Sequence, residues 1–111
     1  MEIKSDENRF YIEESEILVG EIGITKIDET TISIDHTFIN ENYRGQGLAK
    51  KLLNAVLEYA EQNDLKIVPV CSYAKATFKN TPDIQHFLTK NYQELLGGIK
   101  WIKMNLNKPL G

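Results

Sequence analysis

Cysteine and long apolar runs are scarce in this 111-residue chain, which holds a single cysteine, Cys71. One cysteine excludes an internal disulfide framework and suits a reducing compartment, so we expect a cytoplasmic protein. No apolar run approaches the roughly 20 residues that span a bilayer, which predicts no membrane association. The acidic, polar N-terminus does not resemble a signal peptide either.

Positive charge is scarce in the first part of the chain. Residues 1–42 carry three Lys/Arg against eleven Asp/Glu, whereas residues 43–111 carry ten against five. A polyanionic ligand would be attracted to the second half and a cationic substrate to the first, although an uneven solvated surface explains the asymmetry equally well. Nucleic-acid binding is not expected, since no basic run interleaves with aromatics. No cluster of His, Cys and carboxylates has metal-ligand spacing, so we predict no metal.

Alternating β-branched residues predict three strands, over residues 9–13, 17–27 and 31–39, joined by short turns as an antiparallel meander. Apolar residues at helical spacing then predict a helix over about 47–62, and residues 65–70 read as a buried strand. Strand, helix and strand in this order favour a parallel pair with a crossover. Pro69 cannot donate to a ladder, so one side of the last strand should be unpaired there.

The remainder of the chain is predicted to be mainly helical. Residues 72–79 suggest a short helix, and Thr81-Pro82 is a good start for another that runs to about residue 90. Residues 91–98 are expected to be loop and 99–104 a last strand. We expect one domain over 1–111, with a core of about 10–90 and a C-terminal tail over 91–111.

Two glycines, Gly45 and Gly47, stand between the third strand and the long helix. Glycine permits a sharp turn and close approach of a ligand, and the free amides at a helix N-terminus attract phosphate. Arg44, Lys50 and Lys51 add positive charge. The loop is neither a P-loop nor a dinucleotide fingerprint, because no Gly-Lys-Ser/Thr follows and Lys50 replaces the third glycine. A turn that merely starts a surface helix remains the alternative.

Residues 44–49, Arg-Gly-Gln-Gly-Leu-Ala, resemble the pyrophosphate loop of the GCN5-related N-acetyltransferases, the GNAT family. The resemblance implies an α/β fold with a mixed, mostly antiparallel central sheet flanked by helices. It also implies a parallel strand pair that splays apart around acetyl-coenzyme A. The two helices that family members usually place between their first strands are missing. The chain therefore resembles the minimal single-domain subgroup, which carries a histidine and a cysteine at the positions of His36 and Cys71.

This resemblance implies which residues bind the cofactor, acetyl-CoA or coenzyme A. The strand before the loop would supply backbone partners for pantetheine, and the loop would bind pyrophosphate. The implied cofactor-binding residues are Phe38, Ile39, Asn40, Arg44, Gly45, Gln46, Gly47, Leu48, Ala49 and Lys50.

Three residues are candidates for catalysis. Cys71 precedes a predicted helix, whose N-terminus favours a thiolate, and would accept the acetyl group or position a direct transfer; an inert packed cysteine is the alternative. By two-residue alternation His36 shares a strand face with Ile32, Ile34 and Phe38, where a core histidine or a proton acceptor both fit. Tyr73 would protonate the departing coenzyme A thiolate, or pack as an ordinary aromatic residue.

The implied function is transfer of an acetyl group from acetyl-CoA to an amine, with a small molecule or a protein amine as acceptor partner. Three alternatives stay open: a coenzyme A-binding module without catalytic activity, a nucleotide binder that uses only the loop, and a protein-interaction domain on the same scaffold. A monomer or weak dimer is expected.

Overall fold

Four consecutive strands pair in chain order as an antiparallel meander. They are β1 (Lys4–Asp6), β2 (Arg9–Glu14), β3 (Ile17–Asp28) and β4 (Thr31–Ile39). The computed structural model describes residues 1–96. The three strands expected from β-branched alternation are confirmed. β1 is a short, fully exposed edge strand that its polar sequence does not predict.

A helix crosses from β4 to a fifth strand. α1 (Leu48–Gln62) leads to β5 (Lys66–Pro69), which pairs in parallel with β4 and completes a mixed, mostly antiparallel sheet, as predicted. Burying a Leu or Val side chain stabilises a fold by about 1.5–3 kcal/mol, so the apolar stripe of α1 is a main source of stability. The buried residues of α1 are Leu48, Leu52, Leu53, Val56, Leu57 and Ala60.

Pro69 lies in β5 without weakening its pairing to β4. The amides of Lys66 and Val70 donate to the carbonyls of Thr30 and Ile34, at 2.8 and 2.9 Å. Donors alternate between the two sides of a strand, so the Pro69 nitrogen faces away from β4. On that far side Ile67 forms a bridge with Leu88. The missing proline donor therefore removes no bond between β4 and β5.

A β-bulge at Asp35 changes the face on which the end of β4 presents its side chains. Ile34 pairs with Ile24, but the next pair is His36 with Gly23, so Asp35 has no partner of its own in β3. Paired residues share a face and neighbours in β3 alternate, so His36 lies on the face opposite Ile34. The prediction that His36 shares a face with Ile32 and Ile34 is wrong, because two-residue alternation does not continue through a bulge.

Between β5 and residue 96 there are three short helical segments: α2 (Ser72–Asn80), a 3₁₀ segment (Pro82–Phe87) and α3 (Lys90–Leu96). The continuous helix predicted over 81–90 is wrong, because Leu88 leaves the 3₁₀ segment in extended conformation and is fully buried beside Ile67.

The loop predicted over 91–98 is also wrong as far as residue 96. Tyr92 and Leu96 stand one helical turn apart and both pack on the core from α3. The strand predicted over 99–104 lies outside the described residues. Within residues 1–96, no helix is long and apolar enough to cross a membrane, and no cluster of His, Cys and carboxylates could hold a metal ion.

Candidate functional site

β4 and β5 separate beyond Ile34. The last pair in their register is Ile34 with Pro69, and the amides of Val70 and Cys71 both donate to the Ile34 carbonyl, at 2.9 and 3.1 Å. β4 continues beside β3 as far as Ile39. In the described part of the chain, residues 35–39 therefore have no strand partner on the β5 side. We call this opening between the end of β4 and the start of α2 the wedge.

Cys71 borders the wedge as the N-cap of α2. Its Sγ accepts the backbone N–H of Ala74 at 3.4 Å and lies 3.5 Å from the Thr37 Oγ1. The side chain is half-buried. The thiol therefore lies beside a backbone donor at a helix N-terminus and beside a hydroxyl. The local geometry therefore suits a nucleophilic cysteine.

Asn40 fixes the start of the glycine loop. Its amide donates to the Val19 carbonyl at 2.7 Å, and its Oδ1 accepts the Asn42 amide at 3.0 Å, which caps the short 3₁₀ turn Glu41–Tyr43. Arg44 Nε then reaches back to the Ile39 carbonyl at 3.2 Å. The residues predicted at the end of β4 and those predicted in the loop are thus brought together at one edge of the wedge, where Phe38 is 41% exposed.

The two loop glycines leave the entrance to α1 open. Gly45 and Gly47 have φ angles of +81° and +74°, and a Cβ built on either would meet no atom within 4 Å. Gly47 is the N-cap of α1 and no side chain caps the helix there. The first amides of the helix are therefore available to an anion, with Lys50 exposed on the first turn. Leu48 is buried and Ala49 half-buried, which anchors this turn, while Gln46 is exposed.

Tyr73 lines a groove between α1 and α2 that extends to Lys50 in the first turn of α1. The groove has a volume of about 440 Å³. The Tyr73 side chain is half-buried there. Its lining residues are Lys50, Leu53, Asn54, Leu57, Tyr73, Ala76, Thr77, Asn80, Thr81 and Ile84. The groove continues the surface that begins at the α1 N-terminus.

His36 lies on the other face of the sheet, where it belongs to a chain of charged groups. Its Nε2 is 2.6 Å from Glu21 Oε2, and Glu21 Oε1 accepts a bond from Arg9 at 2.9 Å. The His36 side chain is 55% exposed and that of Glu21 only 18%. The structure therefore does not pair His36 with Cys71; the β4 side chain that contacts Cys71 is Thr37.

Glu21 is held in its ionised form. Burial raises the pKa of the Glu21 carboxyl, but the hydrogen bonds from His36 and Arg9 outweigh this effect and leave the pKa below its ordinary value. Arg9 also stacks on Tyr11, with its guanidinium carbon 3.9 Å from the ring centroid. Glu21 is therefore a fixed negative charge beneath the exposed imidazole.

Sequence reasoning missed Thr37, Glu21 and Gly23 at this site. The bulge, which no residue pattern signals, decides that Thr37 rather than His36 faces the wedge. One signal was available: an isolated glycine inside a β-branched strand indicates close approach by another group, and the His36 ring lies against Gly23.

The fold and the loop define a class of protein. The family model described as GCN5-related N-acetyl-transferase matches residues 9–87, and the chain belongs to that family. Among solved structures it resembles a GCN5-like protein from Staphylococcus aureus. The two are 40% identical with a TM-score of 0.67, over 79% of this chain and 87% of that one.

Two further likenesses are more distant. Protein NATD1 of Danio rerio is 32% identical over 60 residues, so the chain spans about half the length (54%) of the curated relatives it matches. A ribosomal-protein-alanine N-acetyltransferase from Brucella melitensis has a TM-score of 0.54 at 21% identity, over 67% of this chain and 61% of that one. That likeness concerns the fold alone.

Proposed function

We propose that this protein transfers an acetyl group from acetyl-CoA to an amine. The observation that carries the proposal is the juxtaposition of the wedge with the uncapped N-terminus of α1, where two positive-φ glycines leave open space. An extended thiol ester with a pyrophosphate needs both features: an unpaired strand edge for its amide-bearing arm and a cluster of amides for its phosphates.

The cofactor would lie along one continuous surface. The backbone of Phe38, Ile39 and Asn40 would bind the pantetheine arm, because β4 lacks a β5 partner there. The loop over residues 44–50 would hold the pyrophosphate, with Arg44 and Lys50 as its cations.

Three side chains would take part in the reaction: Cys71, Tyr73 and His36. The Cys71 thiolate attacks the acetyl carbonyl, the bond to the coenzyme A sulfur breaks, and Tyr73 donates a proton to the departing thiolate. An amine then attacks the acetylated Cys71, whose thiolate leaves again. Because His36 lies on the opposite face of the sheet from Cys71, it would accept a proton from the ammonium form of the amine before the attack. The amine would therefore bind first at the exposed sheet face beside His36 and then reach Cys71 past the end of β4.

The acceptor would be a small molecule or a protein amine. The helices that usually cover the acceptor side are absent between the first strands, so the His36 face is accessible, and the negative charge of residues 1–42 favours a cationic amine. A nucleophilic thiol also needs a reducing compartment such as the cytoplasm.

Ligand binding and acetyl transfer, measured in turn, test the proposal. Thermal shift with acetyl-CoA, coenzyme A and ATP first separates a coenzyme A site from a general nucleotide site. A panel of amines, read by mass spectrometry of acetylated product, then detects transfer. Stabilisation by acetyl-CoA together with an acetylated amine is the expected result. Stabilisation without any product indicates a coenzyme A-binding module, and equal stabilisation by ATP indicates a nucleotide binder.

A further inference from the structure

The His36 imidazole rests directly on the backbone of Gly23. His36 and Gly23 are paired across β4 and β3, so their side-chain positions share a face. A Cβ built on Gly23 would lie closer than 3.0 Å to three atoms of the ring, and these are its three nearest neighbours. Only glycine at this position leaves room for the ring within reach of Glu21.

The Glu21 carboxylate decides which nitrogen of the neutral ring carries the proton. An ionised carboxylate only accepts hydrogen bonds, so the His36 nitrogen 2.6 Å from Glu21 Oε2 must be the donor. That nitrogen is Nε2, which leaves the lone pair of the neutral ring on Nδ1. Arg9 donates to the other oxygen of Glu21 and is itself paired with Asp6 at 3.3 Å, so the carboxylate is kept ionised.

We propose that Glu21 is a positioning residue for His36. Its carboxylate fixes the imidazole as the Nε2–H tautomer where the ring rests on Gly23, a contact that we call the seat, so that Nδ1 is the atom that accepts a proton. The catalytic consequence rests on the proposed function, whereas the tautomer and the seat are properties of the free protein. The second nearby carboxylate, Asp35, does not compete for the ring, because its oxygens accept bonds from Thr25 and Ser33.

The tautomer is measured directly in protein labelled with ¹⁵N at histidine. Long-range ¹H–¹⁵N correlation at about pH 8, above the ordinary titration range of histidine, distinguishes a protonated from an unprotonated ring nitrogen. The expected spectrum shows His36 with protonated Nε2 and unprotonated Nδ1, and Glu21→Gln mixes the two forms because an amide can donate as well as accept. Glu13→Gln, a matched change at an exposed residue of β2, should leave the spectrum unchanged. A wild-type spectrum with the proton on Nδ1 or with an even mixture would overturn the proposal, whether or not Glu21→Gln folds.

The seat is tested by a double-mutant cycle. Gly23→Ala should shift the His36 ring signals and destabilise the protein, whereas in a His36→Ala background the same change should cost little, because the ring atoms that the new Cβ meets are gone. An equal loss of stability in both backgrounds would show that the His36 ring does not rest on Gly23.

Turnover separates this proposal from the proposed function. Glu21→Gln should lower kcat at least about tenfold with little change in the KM for acetyl-CoA, because the proton acceptor is misdirected while the cofactor surface is intact. Full turnover in Glu21→Gln beside an active wild type would overturn the positioning role. Should the wild type transfer no acetyl group, the proposed function fails, and the tautomer spectrum still decides the role of Glu21.

Discussion

Thr37 Oγ1 lies 3.5 Å from Cys71 Sγ, across the wedge in which β4 and β5 separate. Thr37 faces this opening only because Asp35 bulges out of the β3–β4 ladder and exchanges the faces of the residues that follow. The bulge therefore has two consequences: a hydroxyl is placed beside the thiol, and the imidazole of His36 is placed on the exposed face. The proposed roles of the Cys71 thiol and the His36 imidazole both depend on this bulge.

The covalent role of Cys71 predicts an acetylated protein. Incubation with acetyl-CoA and no amine should add about 42 Da, and hydroxylamine should remove it. Cys71→Ser should lose the label and most turnover while coenzyme A still binds, since the loop is untouched. Thr37→Val, which keeps the shape and removes the hydroxyl beside the thiol, should label Cys71 more slowly than the wild type. Full turnover in Cys71→Ser would eliminate the covalent route and leave direct transfer.

Substitution of Gly47 should weaken coenzyme A binding more than it destabilises the fold. Any side chain there projects into the open space at the α1 entrance, so Gly47→Val should weaken coenzyme A binding at least tenfold, about 1.4 kcal/mol. The positive φ also strains valine. Gly47→Asn separates the two effects, because asparagine tolerates this conformation: its melting temperature should stay near that of the wild type while affinity falls. Calorimetry showing unchanged affinity in Gly47→Asn would mean that the loop is only a turn.

The cations of the loop should contribute screened electrostatic attraction to binding. Arg44→Gln and Lys50→Gln should each weaken coenzyme A binding by roughly 1 kcal/mol at low salt, and by less as salt is added, because both side chains are exposed. Lys26→Gln, an equal loss of charge in the exposed end of β3, is the control. An equal loss of affinity in all three variants would show a general charge effect instead of a phosphate site.

The depressed pKa of Glu21 makes a prediction about acid stability. The folded pKa lies below the unfolded value of about 4.3, so the stabilisation is complete above that pH and is lost as pH falls through the folded pKa. Glu21→Gln should therefore be less stable than the wild type near neutral pH, and the difference should shrink below about pH 4. Urea unfolding at several pH values measures it, with Glu13→Gln as reference. A difference that does not change with pH would contradict the linkage.

The sequence predicted the parts of this structure that rest on local chemistry. Alternating β-branched residues are sufficient for β2, β3 and β4, and the apolar stripe for α1, because each pattern has one way to bury itself. The glycine loop was predictable from local chemistry too, since its positive φ angles favour glycine at Gly45 and Gly47.

What the sequence could not predict depends on partners distant in the chain. The bulge at Asp35 arises from register with β3, so the face of His36 was predicted wrongly. The Glu21–His36 pair joins residues 15 positions apart, and its geometry follows from the same register. Leu88 leaves the predicted helix because a buried position beside Ile67 stabilises it more than another helical turn would.

Amide chemical-shift mapping with acetyl-CoA tests most directly whether the wedge and the loop form the cofactor site. In ¹⁵N-labelled protein the largest shifts should fall on residues 38–40 and 44–50, with smaller ones around Cys71. The first hairpin, β1 and β2 (residues 4–14), should change little, because β3 lies between it and β4. Largest shifts in that hairpin, or none on the loop, would contradict the proposed site.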